Sequence, residues 1–466
     1  MAITEARTMK VLELGLGSLT ALALGVCMTG CGPSGSAEQT PVGESRAALS
    51  PAVATFPSTY VRQWMTDVAF SVKYDSISPQ VAVRSYVYAA IAAYEATVHG
   101  IPGNVSLVGQ LNGLSSLPLP DPNATYDWPT VLAATEGRVV PATYVYPNTL
   151  FFEYTTRTHI SLESLEGIQV SLRENAGIPQ SVIDDSVKYG HALGDAIAAW
   201  ANEDGYAESR YEGYVPPSGD PSNWVATGYV DALSSRPVEP HFGDLRTLVL
   251  ASADDCLATP PPPFSTDPAS AFYAEANNVY QTDLTLTKEQ REIALFWADS
   301  PGTETPPGHW LKITNDLIRP LTLAEAVQAY VPVMVSMFDG IVATWHSKYH
   351  YDLLRPETYI HRYINSQWIP LLPTPQFPTY TSGHAGFSGA AAAALTSVFG
   401  NIPFTDKTKV RGGFEPRTYP SFMAGAEEAG LSRIFGGIHY MMDNVNGRAV
   451  GVCAANAFSS HVVLHP

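Results

Sequence analysis

Three clusters of basic and nucleophilic residues stand in order in the last quarter of this 466-residue chain. They consist of Lys348 and Arg355, then Ser382, Gly383 and His384, then Arg433 and His439. Lysine and arginine neutralise spread negative charge, serine hydroxyls and glycine amides donate hydrogen bonds, and histidine transfers protons. Each residue taken alone is better explained as a surface cation, a helix cap or a partly buried histidine. The ordered set predicts a pocket for a tetrahedral oxyanion.

Helices are expected to position these clusters. Lys348 and Arg355 are seven residues apart, which corresponds to about two turns on one helical face. Pro356 discourages that helix from continuing. Both cations are therefore predicted to point from one helix toward one ligand.

The other two clusters are expected near helix starts. Residues 381–384 precede an alanine-rich run, which predicts a loop entering a helix whose free amides favour an anion. Ser432 is predicted to cap the start of a second helix. His439 and Asp443, four residues apart, are predicted to share a face further along that helix. This arrangement predicts that His439 is held by its surroundings.

The three clusters resemble the pattern shared by vanadium-dependent haloperoxidases and type 2 phosphatidic acid phosphatases, which use one pocket for two chemistries. The resemblance implies that the equatorial oxygens of vanadate or phosphate are held by Lys348, Arg355, Ser382, Gly383 and Arg433. It implies that His439 is the axial ligand of vanadium, or the nucleophile toward phosphorus. His384 is then the acid/base beside the opposite apical oxygen.

The resemblance extends beyond the clusters. Residues 78–84, 89–95, 296–299 and 305–310 are similar to segments of long bacterial haloperoxidase-like proteins, so it covers most of the mature chain. One position departs from the pattern. Thr381 stands where the family usually has a proline, whose ring presets the backbone of the loop before His384.

The resemblance implies a vanadate-dependent haloperoxidase, in which peroxide, polarised by His384 and Lys348, oxidises halide to hypohalous acid. The hypohalous acid then halogenates a small organic acceptor. The alternative is a soluble acid phosphatase in which His439 forms a phosphohistidine intermediate and phosphate occupies the same site. The large N-terminal half favours the haloperoxidase, because compact soluble phosphatases of this superfamily are much shorter. A surface lipoprotein that only binds phosphate or a sugar phosphate ranks last, since both histidines are present.

Two aromatic residues bear on the choice of halide. Trp345 stands where the chloride-oxidising branch of the family carries a tryptophan. Phe377 stands where haloperoxidases vary between an aromatic residue and histidine. The resemblance therefore favours a chloroperoxidase-like pocket, whereas burial as ordinary core aromatics explains both residues equally well.

Two carboxylates are expected to support the basic residues. Asp443 is interpreted as a partner of His439, although a helical aspartate there is also explained by facing water. Asp299 is interpreted as an ionic partner of Arg433.

The beginning of the chain predicts export. Arg7 and Lys10 precede an apolar stretch over residues 14–26, so residues 1–30 are predicted to be a signal peptide. Residues 28–31 resemble a bacterial lipobox, with Met28 in place of the usual leucine, and Cys31 is the predicted lipid anchor. Residues 31–50 are expected to form a flexible tether. The protein is then a membrane-anchored lipoprotein, or a periplasmic or extracellular protein if cleavage occurs without a lipid.

Apolar periodicity predicts an all-α fold. Apolar residues recur at three and four positions over residues 81–98, 182–200, 286–297 and 323–345. We expect two helical bundles packed as one catalytic domain over residues 51–466, with the oxyanion site in residues 345–445. A proline run at 260–263 is expected to separate the two halves. No second apolar run of membrane-spanning length is expected, which favours a soluble body over the integral-membrane phosphatases.

Composition agrees with an exported enzyme. The chain has 45% apolar and 15% charged residues, enough to bury a large core. Its net charge of -18 disfavours nucleic acid or an anionic membrane surface as the main partner. Cys256 and Cys453 either form a disulfide or remain free thiols. The sequence sets no oligomeric state.

Overall fold

Helices make up most of the structure, and their apolar faces share an extended core. The computed structural model describes residues 50–144, 152–227, 236–300 and 302–465. The helices of the first half are α1 (Thr59–Tyr74), α2 (Pro79–Thr97), α3 (Trp128–Thr143), α4 (Phe152–Asn175), α5 (Gln180–Ala201) and the single turn α6 (Tyr206–Ser209). Those of the second half are α7 (Ala271–Leu284), α8 (Lys288–Phe296), α9 (Thr305–Leu317), α10 (Leu323–Tyr351), α11 (Pro356–Tyr363), α12 (Gly383–Phe399), α13 (Phe422–Phe435) and α14 (Met441–His461). The prediction of an all-α fold is confirmed.

The four helices predicted from apolar periodicity are present as α2, α5, α8 and α10. The start of α10 carries a capping pattern that is visible in the sequence. Thr322 accepts a hydrogen bond from the Glu325 amide, while the Glu325 carboxylate accepts one from the Thr322 amide at 2.8 Å. This reciprocal capping satisfies two amides that lack partners within the helix.

The long helix α10 joins two helical bundles. It packs against α2, which lies beside α3 in the first bundle, and against α12 and α14 in the second. By length and composition α10 could cross a membrane, so the expectation that no second apolar run reaches that length was wrong. The most apolar window of the helix is 94% buried inside the protein. Its apolar surface is therefore covered by other helices, as expected of a core helix.

One short hairpin interrupts the helical pattern of the described residues. Strands β1 (Phe404–Asp406) and β2 (Arg417–Tyr419) pair antiparallel, with Thr405 opposite Thr418. The Phe404 ring stacks on Tyr419 and Phe422. The hairpin therefore lies against α13, close to the cluster that contains Arg433.

The helix ends beside the first basic cluster differ from the prediction. α10 ends at Tyr351, and Asp352 follows it with a φ of 43°. Arg355 is the N-cap of α11, so it does not share a helix with Lys348. The prediction of one shared helix was wrong because Pro356 begins a new helix, where a missing N–H is tolerated.

The predicted helix start at Ser432 was also wrong. Ser432 lies inside α13, where its hydroxyl donates to the Ala429 carbonyl at 2.7 Å. A glycine pair follows the end of α13, so the helix does not continue to His439. His439 instead lies in the connection to α14, and Asp443 lies in the first turn of α14.

A disulfide links the two cysteines of the described residues. Cys256 and Cys453 are bonded, with their Cα atoms 5.8 Å apart, which joins the segment before α7 to α14. The alternative of free thiols is therefore excluded. The predicted signal peptide, the lipid anchor at Cys31 and nearly all of the tether fall outside the described residues and stay predictions.

Candidate active site

A cavity of about 390 Å³ lies where α10, α12 and α13 meet two connecting segments, 298–300 and 372–377. Its wall is mostly apolar and includes Val238, Leu372, Phe377, Phe387, Ile438 and several prolines. Its polar residues include Gly383, His384, Arg433 and His439. An apolar wall with a few converging polar groups is typical of small-molecule sites.

Lys348 is fully buried beside this cavity. Its Nζ donates to the carbonyls of Pro378 and Thr379, each at 2.9 Å. An ammonium has three donors, so one N–H remains for a ligand. Burial and the nearby Arg355 lower the pKa of Lys348 well below its usual value.

Arg355 is held by backbone carbonyls as well. Its Nε donates to the Phe377 carbonyl at 2.8 Å, and its Nη1 donates to the Ile438 carbonyl at 2.9 Å. Its Nη2 is buried without a hydrogen-bond partner. Burial lowers the pKa of Arg355 to about 9. The guanidinium is thus fixed in place with an unused donor.

Arg433 follows the same pattern near the end of α13. Its Nη1 donates to the Trp297 carbonyl at 3.0 Å, while its Nε is buried without a partner. Burial lowers the pKa of Arg433 to about 10, although Asp299 acts in the opposite direction.

Within the described ranges, none of these three cations forms an ion pair with a carboxylate. A buried cation without a counter-charge costs several kcal/mol, which depresses its pKa. The unused donors of Arg355 and Arg433 add unsatisfied polar atoms to that cost. A multiply charged oxyanion would neutralise the cations and fill the empty donors. The residues present therefore fit vanadate or phosphate.

His439 is buried between two partners. Its Nδ1 lies 2.7 Å from Asp443 Oδ2, and its Nε2 lies 3.1 Å from Arg355 Nη1. Arginine only donates, so Nε2 accepts and the ring proton sits on Nδ1. Burial together with Arg355 and Lys348 lowers the pKa of His439 well below its usual value. His439 is thus a neutral imidazole whose Nε2 lone pair lies on the side of the cations.

Asp443 is tied to the second cluster as well as the third. Its Oδ2 also accepts hydrogen bonds from the Thr379 hydroxyl and, at 3.0 Å, from the Tyr440 amide. The Ser382 amide donates to its backbone carbonyl at 3.0 Å. Burial raises the pKa of Asp443, whereas the bond from Thr379 lowers it. Asp443 therefore faces protein rather than water and orients His439.

The second cluster forms the N-terminus of α12. Ser382 accepts a hydrogen bond from the Ala385 amide at 3.4 Å and caps the helix. A Cβ added at Gly383 would lie 3.2 Å from the Trp345 ring, so glycine permits this close approach. Thr381, at the position of the family's proline, is buried, and its hydroxyl has no partner.

His384 presents a free ring nitrogen. Its Nε2 is buried without a hydrogen-bond partner. Burial and Arg433 lower the pKa of His384 well below its usual value, while a hydrogen bond with the Trp297 carbonyl raises it. The imidazole is therefore neutral and able to accept a proton at the cavity surface.

Trp345 and Phe377 both lie against the basic residues. Their ring centroids are 5.0 Å apart, and Lys348 Nζ lies 4.9 Å from the Phe377 centroid. Arg355 Cζ lies 4.7 Å from the same centroid. Cation–π contact offsets part of the cost of burying these charges. The two rings therefore belong to the cavity wall.

Asp299 lies on the cavity wall, but its ionic partners are not the expected one. Its Oδ2 is 2.9 Å from His309 Nδ1, and its Oδ1 contacts Lys409 Nζ. Arg433 and Asp299 form no direct ion pair within the described ranges, but the negative charge of Asp299 raises the pKa of Arg433, so Asp299 acts on Arg433 electrostatically without bonding to it. Arg433 is held by the Trp297 carbonyl instead.

Sequence reasoning missed several residues that hold the site. Thr379 bonds to Asp443 and His439, Trp297 holds Arg433 through its carbonyl, and His309 holds Asp299. His309 and Trp297 lie in segments that resemble haloperoxidase-like proteins, which is the signal that pointed near them. Thr379 has no sequence signal, since its contacts arise from the fold.

Comparisons with known proteins point to one group. Residues 328–465 match the family model described as the VCPO second helical-bundle domain. The structure is similar to that of a bacterial vanadium-dependent iodoperoxidase, with 33% identity and a TM-score of 0.76, covering 88% of this chain and 97% of that one.

Two further solved structures share the fold. The apo form of a bacterial vanadium-dependent chloroperoxidase has 16% identity and a TM-score of 0.59, covering 83% of this chain and 94% of that chain. A holo form has 15% identity and a TM-score of 0.58, covering 89% and 95%. No curated protein sequence is significantly similar to this chain.

Proposed function

Because this chain belongs to the vanadium-dependent haloperoxidases, we propose that its basic pocket holds vanadate and that the protein oxidises halide with hydrogen peroxide. The product is hypohalous acid, which halogenates a small organic acceptor. The observation that carries this proposal is the set of three buried cations, Lys348, Arg355 and Arg433, that have no carboxylate partner among the described residues.

The residues of the pocket suit the oxyanion in complementary ways. The free donors of Lys348, Arg355 and Arg433 bind oxygens and neutralise charge. The Gly383 amide at the start of α12 adds a donor favoured by the helix dipole. His439 carries its ring proton on Nδ1, so its Nε2 lone pair, which accepts a hydrogen bond from Arg355 Nη1 at 3.1 Å, would coordinate vanadium in place of that hydrogen bond. Bound vanadate supplies a Lewis acid that activates hydrogen peroxide without changing its own oxidation state.

His384 is proposed as the acid/base. Oxidation of one halide ion by one peroxide to hypohalous acid and water consumes one proton. Neutral His384 would accept a proton from hydrogen peroxide at Nε2 and return it to the oxygen that leaves as water, and the further proton that converts hypohalite to hypohalous acid would come from solvent. Lys348 keeps its remaining N–H available to polarise the oxygen under attack.

The proposal is tested with the purified protein after any bound oxyanion has been removed. Peroxide-dependent halogenation of a phenolic dye is measured with and without added vanadate, beside hydrolysis of p-nitrophenyl phosphate. Halogenation that requires vanadate is expected. Phosphate-ester hydrolysis inhibited by vanadate, without halogenation, would move the protein to the phosphatases and make His439 their nucleophile.

The preferred halide is a finer proposal. Iodide is the first halide to assay, because the structure of a relative with 33% identity is that of an iodoperoxidase. The resemblance of Trp345 and Phe377 to residues of a chloroperoxidase-like pocket favours chloride instead, and both rings lie against the basic residues. Rates with iodide, bromide and chloride under one set of conditions separate the two: oxidation of iodide alone rejects the interpretation of Trp345 and Phe377.

Export is proposed on two observations. The N-terminal residues have the pattern of a bacterial signal peptide with Cys31 as the anchored residue. The Cys256–Cys453 disulfide supports an oxidising compartment. Cell fractionation of the wild type and of Cys31→Ser tests the anchor. Release of only the variant from membranes is expected, and equal solubility of both rejects the lipid anchor.

A further inference from the structure

We infer that His309 is a positioning residue that fixes residues 297–299, so that the Trp297 carbonyl and Asp299 are held beside Arg433 and His384. The inference rests on the proposed function. His309 does not line the cavity, and its effect on the reaction passes through the two residues that it holds.

His309 is bound by carboxylates on both sides. Its Nδ1 is 2.9 Å from Asp299 Oδ2, and its Nε2 is 2.7 Å from Asp406 Oδ2. Both carboxylates are buried, as is the imidazole, so neither bond is screened by water. Carboxylates only accept, which requires a proton on each ring nitrogen. Although burial opposes the charge, Asp299 and Asp406 raise the pKa of His309 to about 9.

The imidazolium also fixes Trp297. The two rings stack with centroids 4.3 Å apart and an interplanar angle of 21°. On its other side the indole Nε1 donates to Glu428 Oε1 at 3.0 Å. The ring is thus held at two points, and its backbone carbonyl is directed at the site. That carbonyl accepts from Arg433 Nη1 at 3.0 Å and also bonds to His384.

The His309 imidazolium is also connected to the cavity through its hydrogen bond to Asp299. It lines the cavity wall, and Lys409 binds the oxygen that His309 leaves free. Two cations, His309 and Lys409, thus balance two carboxylates, Asp299 and Asp406, in this buried group. Without the imidazolium, Asp299 and Asp406 would be left with a single lysine, which destabilises the segment that carries Trp297.

The test is the affinity of the full-length protein for vanadate, measured by calorimetry after any bound oxyanion has been removed. The measurement is made well below the melting temperature of every variant. His309→Gln keeps hydrogen-bonding capacity but removes the charge. Because residues that orient a site from behind typically change affinity tenfold or more, we expect vanadate to bind roughly tenfold more weakly. The rate of halide oxidation at saturating vanadate should also fall, since His384 loses its fixed partner.

Two matched variants separate positioning from general stability. Asp204→Asn disrupts a buried Arg84–Asp204 pair of 2.6 Å elsewhere and should lower the melting temperature without changing vanadate affinity. Thr408→Val removes an uncharged hydrogen-bond partner, 2.7 Å from the same His309 Nε2, and should also leave the affinity unchanged.

Asp406→Asn removes one carboxylate partner of His309 while keeping the histidine itself. Like His309→Gln, it should weaken vanadate binding. Wild-type affinity in either folded variant would overturn the inference. Equal weakening in Asp204→Asn would overturn it as well, because the effect would then report stability alone. Failure of the wild type to bind vanadate is a different result and would reject the proposed function itself.

Discussion

Two buried arginines of this protein, Arg84 in the first bundle and Arg355 at the cavity, are satisfied by different kinds of partner. Arg84 Nε lies 2.6 Å from Asp204 Oδ2, and its Nη1 donates to the Thr143 carbonyl at 2.8 Å. Although burial opposes it, Asp204 raises the pKa of Arg84. This cation is neutralised within the protein and links α2 to the end of α3 and to the segment that follows α5.

Arg355 has no such carboxylate. Its partners are two carbonyls and the ring of His439, and burial lowers its pKa to about 9. Carbonyl dipoles orient a guanidinium but do not cancel its charge. Burial of a cation alone therefore does not mark a functional site. A buried cation whose partners are all uncharged marks a place for an external anion.

The largest effect is expected on turnover, at a residue that acts in the reaction but does not bind vanadate. His384→Ala should retain vanadate affinity, because its free Nε2 is not among the charged donors. Its turnover should fall by about 10²- to 10⁴-fold with loss of the acid/base. Steady-state rates beside calorimetric titration measure both. Unchanged turnover would remove the assigned role.

Arg355→Met tests whether the charge of Arg355, unlike that of Arg84, serves to bind an oxyanion. Vanadate should bind on the order of a hundredfold more weakly, since one charged contact is lost from a water-poor pocket. The oxyanion-free variant should be more stable than oxyanion-free wild type, because an uncompensated buried charge has been removed. Thermal melts without oxyanion test this second part, and a large drop in stability would contradict it.

Asp204→Asn should have effects opposite to those of Arg355→Met, because it should lower stability and leave vanadate affinity unchanged. Loss of the carboxylate leaves Arg84 buried and unpaired, which should cost about 3–5 kcal/mol of unfolding free energy. Denaturant unfolding measures that loss. Vanadate affinity of the folded variant should match wild type, and a parallel loss of affinity would erase the distinction between the two arginines.

Stability should depend on pH through His309. Its pKa is raised from about 6.5 in the unfolded chain to about 9, so its stabilisation is present below pH 6.5 and is lost as pH rises through 9. The contribution is on the order of 3 kcal/mol. Melting temperatures across this window should fall more in wild type than in His309→Gln. Identical pH slopes would show that His309 is not held protonated.

The smallest effect is expected on the cavity wall. Phe377→His keeps a planar aromatic ring beside Lys348 and Arg355 but replaces the apolar benzene face that contacts both cations with a smaller, polar imidazole. We expect a change of only a few fold in the ratio of bromide to iodide oxidation rates. A change shared equally by all halides would assign Phe377 to packing rather than halide choice.

The sequence predicted several of the helices and the charged and histidine side chains that line the cavity. Periodicity located α2, α5, α8 and α10, and the three clusters contained every cation of the pocket. Predictions failed at helix ends, where Pro356 and a glycine pair restart or stop a helix within a few residues. Arg355 and His439 therefore reach the site from connections rather than from helix faces.

The groups that hold the cations were beyond sequence reasoning for a physical reason. The acceptors of Lys348, Arg355 and Arg433 are backbone carbonyls, including those of Phe377, Pro378 and Trp297. Every residue type carries a carbonyl, so no side-chain pattern reveals which ones converge. The buried group around His309 draws on residues more than ninety positions apart and is brought together only by the fold.

Calorimetric titration of the oxyanion-stripped wild type with vanadate, followed by a thermal melt, tests whether the buried cations bind an oxyanion. The buried cations predict saturable binding at one site, with a dissociation constant in the micromolar range or below and a higher melting temperature in the bound form. Absence of binding at about millimolar vanadate, with an unchanged melting temperature, would contradict the claim that these cations await an oxyanion.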